Sequence, residues 1–233
     1  MSNRGYKSSH EVQAMFDRIA PRYDLMNRLM TFGQDMRWRR FLVRQLGDLH
    51  NARVLDVATG TGDIAFEVRK QFPSAEVIAS DFAVVMMRMG KTRRMGSCVD
   101  WSAGDAQRLP FPDKAFDAIT SGYLFRNVPD IDLALREQLR LLKSGGRMAT
   151  LDTSPPPDNL LKPVILIHLK YVIPTLGRLI TPDAEAYQYL PASTLRFKTP
   201  EDFAAMMRDA GFVNVGFRAF MFGTMAVHWG QKP

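Results

Sequence analysis

One cysteine stands in 233 residues. Cys98 has no partner within the chain, so an internal disulfide framework is excluded, and a cytosolic setting fits. Its apolar neighbours predict a core position. Histidine is sparse too. His10, His50, His168 and His228 are scattered without ligand spacing, and no metal site is expected. No apolar run is long and clean. Leu160 to Ile180 is rich in Leu, Ile and Val but carries Lys162, Lys170, Pro174 and Arg178, which argues against a membrane span. Met1 to Tyr6 lacks the apolar core of a signal peptide. Internal repeats, low-complexity tracts and the usual nucleic-acid-binding motifs are missing as well.

A hydrophobic content of 46% against 24% charged residues places the chain among soluble globular proteins. The length suits one domain with an added lid. The net charge of +7 favours an acidic partner, either nucleic acid or an anionic membrane surface. The densest basic group, Arg37, Arg39, Arg40 and Arg44, reads as a solvated helix face.

Residues 1–9 read as disordered. Val12, Met15, Phe16 and Ile19, then Leu25, Met26 and Leu29, recur at helical spacing, predicting a helix from Glu11 to about Met30 broken at Pro21. A second amphipathic helix is expected over about 34–49. Strands near 53–57, 76–80, 98–102, 116–121 and 146–151 then alternate with helices near 63–71, 83–93 and 131–142. That alternation predicts an α/β fold with a parallel sheet covered on both faces. Lys143-Ser144-Gly145-Gly146 reads as a helix stop with glycine in the C-cap region. Pro155-Pro156-Pro157 marks a stiff exit to an interrupted helical lid near 158–198. Pro200 to Ala210 reads as a helix, and Phe212–Phe222 with Met225–Trp229 as two strands around Gly223. Residues 1–50 thus form an N-terminal helical cap of the same domain, and 51–233 the core with its lid.

The stretch from Val54 to Asp63 carries the chemistry. A short buried strand breaks into a turn with Gly60 and Gly62 and opens a helix at Ile64. Glycines let a ligand approach bare backbone. Asp81 ends the next apolar run, where nucleotide folds hold a ribose. Gly60-x-Gly62-x-x-Ala65 alone would also suit a dinucleotide. Asp56 beside it is unfavourable to a pyrophosphate but suits the ammonium and sulfonium of S-adenosylmethionine. Asp105 follows a third strand, within reach of an adenine amino group. Each aspartate could instead be a helix cap or turn residue.

These residues resemble the class I S-adenosylmethionine-dependent methyltransferases. More narrowly, the chain resembles the ubiquinone/menaquinone biosynthesis C-methyltransferases. The match lies in Phe16-Asp17-Arg18-Ile19-Ala20-Pro21-Arg22-Tyr23-Asp24-Leu25-Met26-Asn27, in Gly104-Asp105-Ala106 with Leu109 to Asp113, in Phe125-Arg126-Asn127-Val128-Pro129-Asp130, and in Ala226-Val227-His228-Trp229-Gly230. The chain departs from the family pattern at Thr31, Asp35, Leu124, Ser144 and Asp152.

The resemblance implies a Rossmann-like, mostly parallel seven-stranded sheet with N-terminal helices and a lid. It implies cofactor contacts from Asp56, Gly60, Thr61, Gly62, Asp81, Phe82, Asp105, Ala106 and Gly122. Expected substrate contacts are Tyr23, Asn27, Tyr123 and Asp152. The implied reaction is C-methylation of a polyprenylated hydroquinone, foremost demethylmenaquinol. A phenol ordinarily ionises near pH ~10, so the site must assist its deprotonation. Arg126 would be the cation beside the developing phenolate, and Asn127 would orient a water or the ring hydroxyl. Rival roles are a structural ion pair of Arg126 with Asp130 or Asp132, and Asn127 capping the helix at Ile131. Another lipid or phenolic acceptor, a nucleic-acid-modifying protein and a non-catalytic scaffold are the alternatives. Expected partners are the quinol and a membrane surface, with a homodimer left open and no nucleic acid. The expected place is the cytoplasm, peripheral on the inner face of the membrane.

Overall fold

Val54, Leu55 and Val57 are excluded from water, so β1 (Arg53–Val57) occupies the centre of a sheet covered on both sides. The computed structural model describes residues 9–175 and 184–233, and side chains over 11–175 and 189–233. β1 pairs in parallel with β2 (Glu76–Asp81) and with β4 (Phe116–Gly122). β3 (Asp100–Ala103) lies outside β2, and β5 (Leu142–Thr153) outside β4, both parallel. β7 (Met225–Gln231) runs antiparallel to β5, and β6 (Val213–Phe220) closes that edge. The seven strands take the order β3-β2-β1-β4-β5-β7-β6.

Strand periodicity sends neighbouring residues to opposite layers. Val54 joins Leu42, Val68, Leu151 and Val227 on one face, while Leu55 joins Ile119, Leu135, Phe203 and Phe212 on the other. The crossover helices are α3 (Asp63–Gln71), α4 (Val84–Thr92) and α5 (Ile131–Leu141). Two helices precede them, α1 (Ser9–Met30) and α2 (Asp35–Gln45). After β5 come α6 (Lys162–Ile167), a π-helical turn over His168–Val172, α7 (Ala184–Arg196) and α8 (Pro200–Asp209). Thr199 caps α8, its hydroxyl accepting from the Asp202 amide at 3.1 Å.

Several expectations are corrected. α1 continues through Pro21. The lost backbone hydrogen bond is outweighed because apolar groups on both sides of the proline, Met15, Ile19, Ala20 and Met26, are buried. α2 stops at Gln45, where Gly47 with φ of 79° turns the chain out of the helix. Lys143–Gly146 belong to β5, not to a helix end. Leu142 pairs with Phe116 and Arg147 with Ala118, so the intervening residues form a bulge, with Gly145 at φ 78°. Cys98 is exposed at a surface turn, Gly96–Cys98, whose buried members are Gly96 and the following Val99. Arg39 is 4% exposed and ion-paired, so the basic face of α2 is not wholly solvated. Ser9 opens α1, and the rest of the expected disordered segment, 1–8, lies outside the described residues, as does 176–183 of the lid.

Between β1 and α3 the chain turns through Ala58, Gly60 and Gly62, all at positive φ. Gly62 sits at φ 89°, and a Cβ there would meet the Phe66 ring at 2.8 Å and Trp101 at 2.9 Å. Gly62→Ala is therefore expected to destabilise the protein by about 1–3 kcal/mol. Chemical denaturation checks this, and an unchanged midpoint would contradict the strain.

Candidate functional site

The turn after β1 is held from both sides by buried carboxylates. One Asp56 oxygen accepts from the Thr59 hydroxyl at 2.6 Å and the Ala65 amide at 3.2 Å, and the other from the Thr120 hydroxyl at 2.7 Å. Asp81, at the end of β2, accepts from the Gly60 amide at 2.7 Å and the Ala83 amide at 2.8 Å. Burial raises the Asp56 carboxyl to about 6 against the opposing bonds from Thr59, Thr120 and Ala65. Burial likewise raises Asp81 to about 6, opposed by the amides of Ala83, Gly60 and Phe82.

Above this turn, at the carboxyl ends of β1, β2 and β4, lies an open cleft. It gathers Gly60, Asp81, Phe82, Asp105, Ala106 and Gly122 of the expected cofactor set, together with Tyr23, Tyr123 and Asn127. Asp56 and Thr61 line a smaller recess beneath the turn, and Gly62 lines neither space. Thr61 is tied instead to α1, its hydroxyl donating to Asp24 at 2.7 Å.

A second cavity shares the Tyr123 wall. It is apolar, lined by Met30, Val164, Ile165, Leu169, Leu190 and Met225 among others. Its polar lining residues include Asn27, Thr31, Arg126, Thr153, His168, Thr194 and Thr224. Arg126 sits in a turn over Phe125–Asn127 and is 7% exposed. Its guanidinium donates to Asp152 Oδ1 at 2.6 Å and lies 4.7 Å from the Tyr123 ring centroid. Its backbone amide donates to Asp152 Oδ2 at 3.2 Å. Asp152 thus stands behind Arg126 and forms no part of either wall. Burial alone would lower the Arg126 pKa, but the Asp152 carboxylate outweighs it and the net shift is upward. Arg126 Nε is buried and finds no acceptor among the described residues.

Asn127 donates to the Tyr123 carbonyl at 2.7 Å and accepts from the Tyr189 hydroxyl at 3.1 Å. The cap of α5 is Asp130, which accepts from the Leu133 amide at 2.9 Å, so Asn127 is not the cap. Tyr123 adopts φ 59°, with its amide donating to Leu151 at 2.7 Å. Burial pushes the Tyr123 phenol up to about 12 and raises that of Tyr23 as well, so both stay neutral at ordinary pH.

Sequence reasoning missed a buried ion network under α1. Asp35 is fully buried between Arg28 and Arg39. Asp63, the first residue of α3, pairs with Arg28 at 3.1 Å, Arg39 at 3.4 Å and Arg93 at 2.8 Å. Burial raises the Asp63 pKa, but Arg39, Arg93 and Arg28 together bring it below the usual carboxylate range. The i,i+4 spacing of Asp35 and Arg39 was the available signal. His168, Thr153 and Thr194 were also missed, since their approach depends on where the chain returns after β5.

A family model described as the ubiE/COQ5 methyltransferase family matches residues 4–232. The ubiquinone/menaquinone biosynthesis C-methyltransferase UbiE of Desulfotalea psychrophila is 49% identical, over 95% of this chain and 90% of its own length. The demethylmenaquinone methyltransferase of Thermus thermophilus is 44% identical, over 94% of this chain and 100% of its own. The crystal structure of the [4+2]-cyclase SpnF superposes with a TM-score of 0.72 at 18% identity, covering 98% of this chain and 97% of that one. At that identity the likeness shows the fold alone.

The first cleft fits S-adenosylmethionine. It lies at the carboxyl ends of the parallel strands, Gly60 and Gly122 leave backbone bare along the wall, and Asp81 offers a buried carboxylate. A charge-assisted hydrogen bond to such a carboxylate contributes about 1.5–3 kcal/mol. Asp81→Asn is therefore expected to weaken S-adenosylmethionine binding by about tenfold or more, measured calorimetrically. In the parent protein affinity is expected to fall as pH drops through about 6, where the Asp81 carboxylate takes up its proton. The step should shrink in the variant.

Proposed function

This chain belongs to the ubiE/COQ5 methyltransferase family and is an S-adenosylmethionine-dependent C-methyltransferase, and on that premise we propose that its acceptor is a polyprenylated hydroquinone, demethylmenaquinol in the first place. The observation that carries the proposal is the second cavity. It is apolar, it shares Tyr123 with the cofactor cleft, and it is lined by one buried guanidinium with an N–H still lacking an acceptor. A buried donor left unpaired costs free energy. A phenolate oxygen placed there would satisfy Arg126 Nε and be stabilised by its charge. The Thermus relative, named for demethylmenaquinone, supports the naphthoquinol over a benzoquinol.

S-adenosylmethionine supplies a methyl group on a sulfonium. The protein supplies the rest. Asp152 holds Arg126 in one orientation, from both its side chain and its backbone amide. Asn127 links the Tyr123 carbonyl to the Tyr189 hydroxyl, fixing the wall between the two spaces. The apolar lining excludes water, which strengthens the interaction between the guanidinium and developing negative charge. Tyr23 lines the first space and Asn27 the second, which supports substrate contacts from α1.

A membrane surface is the proposed source of the acceptor. The cavity mouth carries exposed Phe32, Val164 and Phe222, and the neighbouring lid presents Leu160 at 97%, Ile167 at 57% and Tyr171 at 67% exposure. Lys162 and Lys170 on the same segment suit anionic headgroups. No helix among the described residues is long and apolar enough to cross a membrane.

Label from methyl-labelled S-adenosylmethionine is expected in a reduced short-chain demethylmenaquinone, in preference to the ubiquinone-pathway benzoquinol. Arg126→Gln should lower kcat by about 10²-fold, with cofactor binding measured alongside because breaking a buried pair costs about 3–5 kcal/mol. Cofactor binding without transfer to either quinol overturns the reading. For the surface, Ile167→Glu with Tyr171→Glu should abolish flotation with phosphatidylglycerol vesicles. Equal flotation of parent and variant would contradict it.

A further inference from the structure

His168 is the one ionisable lid residue in the wall of the second cavity among those described. Its Nε2 is buried and has no hydrogen-bond partner among the described residues. It opens the π-helical turn over His168–Val172, between α6 and the residues that follow. A π-helical turn shifts the side chains of a helix off their regular spacing, and such turns gather at functional sites. Here Ile165, Leu169 and Ile173 of the same segment line the cavity together with His168, the one member of that stripe with a polar side chain. A buried polar atom without a partner is costly unless something else supplies one.

The remaining polar groups of that wall cannot take a proton from a phenol at neutral pH. Arg126 is always protonated, and its pKa is shifted upward. Tyr123 keeps its own proton, its phenol being pushed up to about 12. Thr31, Thr153, Thr194 and Thr224 are hydroxyls, and Asn27 is an amide. Imidazole is the side chain suited to proton uptake near neutral pH.

We propose that His168 Nε2 accepts the ring-hydroxyl proton of the phenolic acceptor while Arg126 receives the resulting oxyanion. The inference rests on the hydroquinone reading given above. The O–H bond breaks, its proton bonds to Nε2, and the electron pair left on oxygen is shared with the adjacent ring carbon. That carbon forms the new C–C bond as methyl leaves the sulfonium, whose sulfur keeps the bonding pair. The proton held by His168 then returns to the oxygen, the freed Nε2 takes the ring C–H proton so that the aromatic ring is restored, and that proton passes to solvent when the product leaves. His168 is in this role a catalytic residue, since it touches the acceptor.

The test uses the full chain, with binding and turnover read separately. His168→Gln can still hydrogen-bond but accepts no proton. It is expected to lose about 10²-fold in kcat with KM changed little. In His168→Ala, added imidazole should restore part of the rate. S-adenosylmethionine binding by both variants reports that they are folded. Independently of turnover, 1-naphthol titrated into ¹⁵N-histidine-labelled protein should shift the Nε2 resonance of His168 and leave that of His228, buried against the Pro200 carbonyl, unchanged. Full kcat in the folded glutamine variant, or an unperturbed His168 resonance at saturating 1-naphthol, overturns the proposal. Failure of the parent protein to methylate any quinol removes the acceptor reading instead, and the naphthol titration still decides on His168.

Discussion

The turn after β1 exists in its observed shape because two buried carboxylates hold it. Asp56 fastens its two ends, through Thr59 and Ala65, to the neighbouring strand at Thr120. Asp81 fastens its middle through the Gly60 amide. Without these bonds the positive φ angles at Ala58, Gly60 and Gly62 would lack compensation. Both carboxyls titrate near 6 in the folded protein, above the ordinary value. A raised carboxyl pKa contributes stability at low pH that is lost as pH rises through about 6, so at neutral pH both ions are held at a cost. The fold bears that cost to keep a rigid strip of backbone at the sheet edge.

A second electrostatic device joins the N-terminal helices to the turn after β1. Asp63 begins α3, where a carboxylate complements the helix dipole, and it draws in Arg28 of α1, Arg39 of α2 and Arg93 beyond α4. Asp24 and Thr61 extend the network across the glycine turn itself. α1 is thereby fixed over the cleft, and with it Tyr23 and Asn27. Burial of opposite charges contributes little net stability by itself, but loss of one partner is severe. The network therefore acts on position more than on stability.

The sheet was legible because its signals are local. β1, β2, β4 and α3 follow from short buried runs bounded by Gly and Asp, and their bounds lie close to those read from the sequence. Lys143–Gly146 misled because Gly-Gly supplies positive φ equally well to a helix cap or a strand bulge, and only pairing with β4 decides between them. Pro21 misled because burial on both sides outweighs one missing bond. Arg126 and Asp152 were each singled out, but their pairing was not, since they are brought together only by the adjacency of β4 and β5. His168 carried no sequence signal at all. A lone histidine in an apolar segment acquires meaning from the cavity it faces, and that cavity is assembled from α1, β5, α6, α7 and the β6–β7 turn.

The pairing of Arg126 with Asp152 settles what kind of chemistry its side chain can perform. A guanidinium held against a buried carboxylate is a fixed cation and gives up no proton. In the proposed reaction it would stabilise an oxyanion after one has formed and could not generate it. Its value depends on being oriented beforehand and on water being kept out, because reorganisation at the moment of reaction would spend the advantage. Both conditions are met by the same residues that make the cavity apolar. A larger, wetter site could admit the acceptor more readily, but the field of Arg126 would be screened there. In the proposed reaction the apolar wall would serve two ends at once: it would match a hydrophobic acceptor, and it would keep the field of the Arg126 guanidinium unscreened by water.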